Sequence, residues 1–494
     1  MTKNFKEFLL IQEKLKGHSF AYKGVSLLPF LRMAFCYNDY VGAERISAAE
    51  VNQYKQKLGF KQKIGLALYF FSKYLKSPVV ATNYFNHPRK VDNLFFAIPS
   101  HNKVKGEAMN NVWVTPLIKC YQEKRNTEQQ LLWNYTEEFS TYWALDKKYN
   151  LATAQNFFLS AFGFKSRLIS EIDGFSELFD LLKQSSFGIT ITMGALQSRI
   201  ENLLLHIEFY KKVYRAYQPK AVFVYSFYYD ANLAAVYAAK AMGIKTIDVQ
   251  HGLIKFTHYA YTDWKGLKKD ELLFLPDYCL THDEETAEVI NNSEQGMKGY
   301  FTGNVNKATE VEFRKTQKAE DSFLIPINPA TRNILITAIE HILHKDILSV
   351  VRNAKQFTWH IKLHPRYTTA EMLQHYQDMF QEVSHVHVYH KEKADLYDFL
   401  ELCDLHITEM SYSAIEAEEQ GLNNIIFGEG GKEQFHHQIA EGKYISCVSA
   451  AELEKVLSRE ESFLKKAKTN EQSLEKVNGR LLKFYEEMIL KSPV

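Results

Sequence analysis

The sequence predicts an α/β protein built from two doubly wound domains that face a cleft. The chain has 494 residues, which suits two large domains or up to about four smaller ones. Short apolar segments alternate with helical patterns, as expected for parallel sheets. A polar, proline-containing stretch at 314–332 separates two such series and is the best candidate for a linker.

The elements of the first series follow a largely helical, aromatic-rich region of about 90 residues. A strand is predicted at 93–99, and residues 150–217 have apolar positions at helical spacing. Further strands are predicted at 221–226, 244–249 and 278–280, and helices at 232–242 and 283–290. Gly243 follows the first of these two helices as a C-cap.

The second series has the same alternation of strand and helix. Strands are predicted at 333–339, 357–363, 385–389, 404–408 and 424–427, and helices at 395–403 and 414–420. Charged helices end the chain from about residue 451 to 490. We therefore predict an N-terminal domain at 1–315, a C-terminal domain at 316–460 and a helical tail at 461–494.

Composition excludes several classes of protein. Hydrophobic residues make up 46% and charged residues 24%, which rules out a wholly disordered chain. The formal net charge is only +2, so no nucleic-acid partner is expected. Five scattered cysteines without CxxC spacing disfavour a disulfide framework or a structural zinc site.

The N-terminus is charged throughout and lacks the apolar core of a signal peptide. No stretch approaches the ~20 apolar residues that a membrane-spanning helix needs. We therefore expect a cytoplasmic protein. Peripheral contact with the inner membrane is left open, because lysines at 55–76 and in the C-terminal tail could touch anionic lipid.

The residues that follow strands are the first candidates for a site, since ligands of open α/β sheets bind outside the carboxyl ends of strands. Gln250-His251-Gly252 follows one strand. His251 suits a general base that takes a proton from a sugar hydroxyl, with Gly252 permitting a tight turn. The alternative is a structural histidine bonded to a backbone carbonyl.

The second cluster is Lys362-Leu363-His364-Pro365-Arg366, at the end of another strand. His364 and Arg366 can both donate hydrogen bonds to phosphate, and the fork of Arg366 matches phosphate oxygens. The alternative is a loop with incidental charges.

The third cluster, at 408–417, places hydroxyl residues between a strand and a helix. Thr408, Ser411 and Ser413 could bind phosphate together with the free N–H groups of the helix start. Glu416, one turn later, could accept both hydroxyls of a ribose. The alternative is simple helix capping with Glu416 in solvent.

Several common site motifs are missing from the sequence. There is no GxGxxG, GxxxxGK[ST], GxSxG or HExxH, which disfavours dinucleotide binding, P-loop hydrolysis, α/β-hydrolase chemistry and that zinc site. We expect no metal and no cofactor.

These clusters resemble those of the two-domain GT-B glycosyltransferases. More narrowly, the chain is similar to bacterial surface-polysaccharide transferases that use CMP-activated Kdo or sialic acid, and to CDP-glycerol and CDP-ribitol polyol-phosphate transferases. The resemblance covers roughly 220–430 and rests on VQHG at 249–252, FTGNV at 301–305, KLHPR at 362–366 and TEMSYSAIEAEEQG at 408–421.

The resemblance implies roles for individual residues. His364 with Ser411 or Ser413 would hold the donor phosphates, Glu416 the donor ribose, and His251 would face the acceptor. Because related sialyltransferases often use an acidic base, Asp230 is a second candidate for the base. The chain departs from the family pattern at 421–424, where proline is common, and in the spacing of Glu409 and Glu416.

We therefore predict a metal-independent, inverting glycosyltransferase. It would move a sugar from a nucleotide-activated donor, with a CMP-sugar favoured, to a cell-surface glycan or lipid-linked acceptor. The alternatives are a nucleotide-sugar 2-epimerase of the same architecture, a CDP-polyol phosphotransferase, and a non-enzymatic scaffold. The long N-terminal region disfavours the epimerase, because a small soluble substrate needs no such extension.

Overall fold

The computed structural model describes most of the chain. The described residues are 3–40, 90–97, 102–105, 108–111, 113–125, 129–133, 172–185, 193–254, 258–293, 296–316, 325–338, 343–363, 370–389, 396–468 and 473–491. All element numbers below refer to these residues.

The chain forms two compact units. Unit 1 contains Met1–Thr309 and Leu474–Val494, and unit 2 contains Glu310–Ser473. The predicted C-terminal tail is thus divided, with 461–473 in unit 2 and the rest in unit 1. The division has a physical cause: the last helices carry apolar side chains that pack on the unit 1 sheet.

Unit 1 contains a six-stranded parallel sheet with the strand order β6-β3-β7-β8-β9-β10. Its strands are β3 (Asn93–Ala97), β6 (Gln129–Trp133), β7 (Ala221–Tyr225), β8 (Lys245–Val249), β9 (Tyr278–Thr281) and β10 (Lys298–Phe301). Two antiparallel hairpins accompany it: β1 (Ala21–Tyr22) with β2 (Val25–Ser26), and β4 (Asn102–Lys105) with β5 (Ala108–Asn111).

The helices of unit 1 lie between these strands and at both ends of the chain. They are α1 (Lys3–Lys14), α2 (Leu28–Tyr40), α3 (Thr115–Arg125), α4 (Phe175–Gln184), α5 (Met193–Tyr217), α6 (Asp230–Ala241), α7 (Glu284–Asn291), α8 (Val305–Thr316, which runs into unit 2) and, after unit 2, α16 (Leu474–Phe484) with a π-helix at Tyr485–Leu490. A 3₁₀ turn lies at Glu271–Phe274.

Unit 2 contains a second six-stranded parallel sheet, with the order β13-β12-β11-β14-β15-β16. Its strands are β11 (Arg332–Ala338), β12 (Phe357–Leu363), β13 (Val386–Tyr389), β14 (Leu405–Thr408), β15 (Asn423–Phe427) and β16 (Tyr444–Cys447). Its helices are α9 (Lys345–Asn353), α10 (Ala370–Met379), α11 (Leu396–Leu402), α12 (Ser413–Glu419), α13 (Gly428–Gln434), α14 (His436–Ala440) and α15 (Ala450–Leu457), followed by a 3₁₀ turn at Glu460–Phe463.

The central strands are apolar because helices cover both faces of each sheet. Every residue of β7 and of β12 is buried. The C-terminal helices belong to the core of unit 1: Phe484 and Tyr485 are fully buried, and the Tyr485 hydroxyl donates to Asn93 Oδ1 over 3.0 Å. This buried anchor ties the end of the chain to β3.

Arg32 fixes the N-terminal helices to the rest of unit 1. Its guanidinium is fully buried, with ring centroids of Trp264 and Phe5 at 3.8 and 4.5 Å, and it donates to the carbonyls of Asp263 and Thr262. Burial lowers the pKa of Arg32 to about 9. A buried cation held in this way fastens α2 to the 258–264 segment.

The structure confirms the predicted α/β class with two doubly wound sheets. In each sheet the strand order reverses beside the first strand, between β3 and β7 in unit 1 and between β11 and β14 in unit 2. Such reversals are where open α/β sheets bind ligands. The cleft between the domains stays a prediction.

The described residues show what their helices and cysteines imply for membrane spanning and for disulfides. Each helix among them is too short or too polar to cross a bilayer. All five cysteines are buried free thiols. The lysine-rich part of 55–76, on which membrane contact was partly predicted, lies outside the described residues.

Candidate functional site

The reversal point of unit 1 is occupied by the turn Ser226-Phe227-Tyr228, which connects β7 to α6. Ser226 has a left-handed backbone, with φ of 56°. Asn232 supports this conformation, because its side-chain amide donates to the carbonyls of Tyr225 and Ser226 over 2.7 and 3.3 Å. A strained residue held in this way is typical of functional sites.

His251 lies beside this turn, one residue after Gln250 at the end of β8. Its Nε2 is 3.0 Å from Ser226 Oγ and 3.2 Å from the Tyr228 hydroxyl. The ring is half-buried, so part of it can meet a ligand. These contacts differ from the alternative of a histidine bonded to a backbone carbonyl, and they suit a group that exchanges protons with hydroxyls.

Gln250 positions the His251 loop. Its fully buried side chain donates to the Gly252 carbonyl over 2.8 Å and accepts from the His282 backbone N–H over 2.7 Å, linking the ends of β8 and β9. The expected role of Gly252 is wrong: its φ is outside the left-handed region, and a β-carbon there would meet nothing within 4 Å. The loop is shaped by Gln250 instead.

Aromatic rings surround His251. Trp113 meets it edge-on at 6.4 Å between centroids and stacks on His282 at 5.9 Å, and Tyr225 lies 6.3 Å away. Burial lowers the pKa of His282 to about 3, so this second histidine stays neutral and belongs to the aromatic surroundings of His251. Half-buried tryptophan beside a polar group is a surface that could stack on a sugar or a base.

Asp230, the second candidate for the base, is the first residue of α6. Both of its carboxylate oxygens accept hydrogen bonds from Arg199, at 2.9 and 2.7 Å. This bidentate pair occupies one lone pair on each carboxylate oxygen and ties the group to Arg199. The geometry therefore favours His251 over Asp230.

The reversal point of unit 2 brings together Thr408, Ser413 and Thr337 of β11. Thr408 Oγ1 donates to the Thr337 carbonyl over 3.0 Å, and Ser413 Oγ lies 2.7 Å from Thr337 Oγ1 and 3.3 Å from His406 Nε2. Thr408 and Ser413 are buried, and burial lowers the pKa of His406 to about 4. These hydroxyls connect the ends of neighbouring strands, and the side chain of Ser413 does not cap the helix as the alternative of simple helix capping would require.

Ser411 and Glu416 are the two predicted donor-binding residues of this cluster that reach the surface. Ser411 Oγ accepts from the Ser413 N–H over 3.1 Å, and Glu416 Oε1 accepts from the Tyr397 hydroxyl over 2.9 Å. Both side chains are half-buried. They remain candidates for contact with a phosphate and with a ribose.

His364 and Arg366 lie outside the described residues, and their predicted roles stay predictions. The segment that leads to them is described. Lys362, near the end of β12, is buried with its ammonium 5.6 Å from the Phe399 ring centroid.

The glycine-rich first turn of α13, which was not predicted as part of the site, adjoins Glu409 and Met410. Gly428-Glu429-Gly430-Gly431 follows β15 directly, and a β-carbon on Gly431 would come within 2.3 Å of the Glu409 carbonyl oxygen. Gly428 has φ of 85°. The sequence could have indicated this feature, because the predicted strand at 424–427 is followed directly by Gly428-Glu429-Gly430-Gly431.

The described histidines of unit 2 do not gather around a metal position. His385 Nε2 lies 2.9 Å from the Val351 carbonyl oxygen, and His387 stacks on His360. Within the described part of the chain, no three His, Cys, Asp or Glu side chains are grouped closely enough to hold a metal ion.

Comparisons with known proteins give structural neighbours only. No family model matches the chain, and no curated protein matches it. Among solved structures, S. aureus MnaA with UDP aligns with 82% of this chain and 99% of its own, at 12% identity and a TM-score of 0.47.

Two further structures are similar to the same extent. The Neisseria meningitidis UDP-GlcNAc 2-epimerase bound to UDP-GlcNAc aligns with 80% of this chain and 100% of its own, at 15% identity and a TM-score of 0.45. The glycotransferase of kitacinnamycin aligns with 81% and 96%, at 12% identity and a TM-score of 0.42. At these identities and TM-scores the likeness carries no argument about the activity of this chain.

Proposed function

We propose that this chain is an enzyme acting on a nucleotide-activated sugar, with His251 as its general base. The observation that carries the proposal is the pairing of His251 Nε2 with the hydroxyls of Ser226 and Tyr228 at the reversal point of unit 1. A half-buried imidazole held among hydroxyls can accept a proton from a substrate that replaces one of them.

Unit 2 would bind the nucleotide. Its reversal point has Ser411 and Glu416 half-buried, and the glycine-rich first turn of α13 packs against Glu409 and Met410 of the same segment. Ser411 can donate to a phosphate, and Glu416 can accept from ribose hydroxyls. His364 and Arg366 would add donors to the phosphate, as the family resemblance implies.

Two reactions remain within this proposal. Glycosyl transfer needs a base for an acceptor hydroxyl, whereas 2-epimerisation needs a base for the proton on C2 of the sugar. UDP-GlcNAc, the nucleotide sugar named for the Neisseria meningitidis structure, and CMP-activated sugars are therefore both tested as substrates. The preference for a CMP-activated donor has no support from contacts among the described residues.

The test is product analysis by NMR with UDP-GlcNAc and, separately, CMP-activated sugars, each without and with a glycan acceptor. Epimer formation without acceptor identifies a 2-epimerase, and nucleotide release that requires acceptor identifies a transferase. In either case His251→Gln is expected to lower turnover by ~10²-fold or more, because the proton acceptor is lost.

His18→Gln is the matched control, since His18 is a partly exposed histidine of the same unit that contacts Asp173. Its turnover should equal that of the wild-type chain. Undiminished turnover in His251→Gln would overturn the assignment of the base, and conversion of no nucleotide sugar would overturn the proposed function.

A further inference from the structure

Asp248 is a fully buried carboxyl in the middle of the unit 1 sheet. It lies on β8, paired in register with Val224 of β7. Its Oδ1 accepts from the Phe227 backbone N–H over 3.1 Å, and its Oδ2 accepts from the Tyr261 hydroxyl over 2.6 Å, with Cys279 Sγ at 3.9 Å. Placing a carboxyl in an apolar sheet is costly, so a role for it is expected.

Phe227 connects this carboxyl to the candidate base. It is the central residue of the turn whose other two members, Ser226 and Tyr228, provide the hydroxyls next to His251 Nε2. The turn begins with the left-handed backbone of Ser226, which persists only if its surroundings hold it. The hydrogen bond to Asp248 fixes the peptide that follows the strained residue.

The alternative role for this turn would make Ser226 a covalent nucleophile activated by His251. A serine nucleophile on a strained turn uses the backbone N–H of the next residue to stabilise an oxyanion. Here that N–H belongs to Phe227 and already donates to Asp248. The contacts therefore support positioning instead of covalent catalysis.

We infer that Asp248 is a positioning residue for His251, acting through the Phe227 N–H to hold the Ser226–Tyr228 hydroxyls in place. This inference rests on the proposed function, in which His251 is the base. Tyr261 is the second member of the arrangement, because its hydroxyl orients the other oxygen of the same carboxyl.

The test compares Asp248→Asn with Asp277→Asn. Asp277 is a carboxylate of the same unit that directly precedes β9; it accepts from the backbone N–H and hydroxyl of Thr246, each over 2.9 Å, and pairs with Lys240. For Asp248→Asn we expect kcat to fall by ~10–100-fold with KM changed less than about twofold, because binding groups are untouched. Hydrogen exchange at 226–229 should become faster.

Asp277→Asn is expected to lower the melting temperature but to leave kcat, KM and the exchange at 226–229 unchanged. Tyr261→Phe keeps the carboxyl and serves if Asp248→Asn does not fold; its kcat should fall less, again without a change in KM. Tyr214→Phe, which removes a buried hydroxyl bonded to the Ala235 carbonyl, is its control.

The outcomes separate this inference from the function on which it rests. Wild-type kcat and exchange in Asp248→Asn, with His251→Gln inactive, would overturn the positioning role alone. Wild-type turnover in His251→Gln would overturn both.

Discussion

Ser226 shows how a single residue couples backbone strain to a candidate active site. Its φ of 56° is unfavourable for any residue with a β-carbon, and its hydroxyl lies against His251. Glycine would adopt this backbone without strain but would supply no hydroxyl. Ser226 therefore lowers the stability of the fold through its strained backbone while it provides a hydroxyl contact to His251.

Two substitutions at Ser226 separate these effects. Ser226→Ala and Ser226→Gly both remove the hydroxyl, so turnover should fall in both. Only Ser226→Gly relieves the strain, and we expect it to be more stable than Ser226→Ala by ~1 kcal/mol. Chemical denaturation measures the difference; equal stability would show that the left-handed backbone is not strained.

The sequence predicted His251 because it follows an apolar strand, and strand ends are easily recognised. It did not predict Ser226, Tyr228 or Asp248 as parts of the site. A left-handed φ has no sequence signal when the residue is serine, and a carboxyl inside a strand shows its partners only when the neighbouring strands are placed. Asp230 was a reasonable candidate from position, but sequence could not reveal its pairing with Arg199.

At the level of elements, the glycine-rich start of α13 shapes the candidate nucleotide site. Gly431 packs against the Glu409 carbonyl and Ile426, both rigid parts of the sheet edge, whereas its neighbour Gly430 meets only the flexible side chain of Met410. Two adjacent glycines of one helix thus have different steric surroundings.

This difference gives a matched pair of substitutions. Gly431→Ala must displace the 409–411 loop, because its β-carbon would come within 2.3 Å of a backbone oxygen. We expect it to lose the rise in melting temperature that a bound nucleotide produces. Gly430→Ala should retain that rise, since Met410 can move. Equal nucleotide responses in the two variants would exclude a role for this loop in binding.

Most elements were predictable because buried parallel strands are continuous apolar runs. The strand at Phe357–Leu363 has the predicted bounds, and most other predicted strands differ by a residue or two. The missed strands β6, β10 and β16 lie at sheet edges, where one side is solvated and the apolar signal is weak. The hairpin β4–β5 is too short and polar to be recognised.

At the level of the whole molecule, buried neutral histidines make both units sensitive to acid. Burial lowers the pKa of five of them to about 3 or 4: His206, His258 and His282 in unit 1, and His360 and His406 in unit 2. In the unfolded chain they bind protons near pH 6.5. Between pH 6.5 and about 4 the unfolded state therefore holds more protons, and stability falls as pH falls.

Asp248 has the opposite effect on the pH dependence of the free energy of unfolding. Burial raises its pKa to about 7, so the folded chain keeps a proton that the unfolded chain loses above its ordinary value of 3.8. It offsets one of the three histidines of unit 1, which leaves about two net protons taken up when unit 1 unfolds. In unit 2 the pKa of His387 is also lowered, by burial and by His385, so at least two protons are taken up there. We expect each unit to lose roughly 3 kcal/mol per pH unit below pH 6.

Denaturation by urea at pH 7, 6 and 5 measures this dependence. The midpoint should fall steeply below pH 6, and Asp248→Asn should make the fall steeper by removing the opposing group. A constant midpoint between pH 7 and 5 would show that these histidines are not held neutral.

The central claim, that the folded chain binds a nucleotide-activated sugar, is tested most directly by melting the protein with millimolar UDP, CMP, CDP, GDP and ADP in turn. Selective binding to the folded state at about 100 times Kd adds ~2.7 kcal/mol of stability. We predict that at least one pyrimidine nucleotide raises the melting temperature of the wild-type chain by several degrees and that Gly431→Ala abolishes the rise. No rise with any nucleotide would contradict the account.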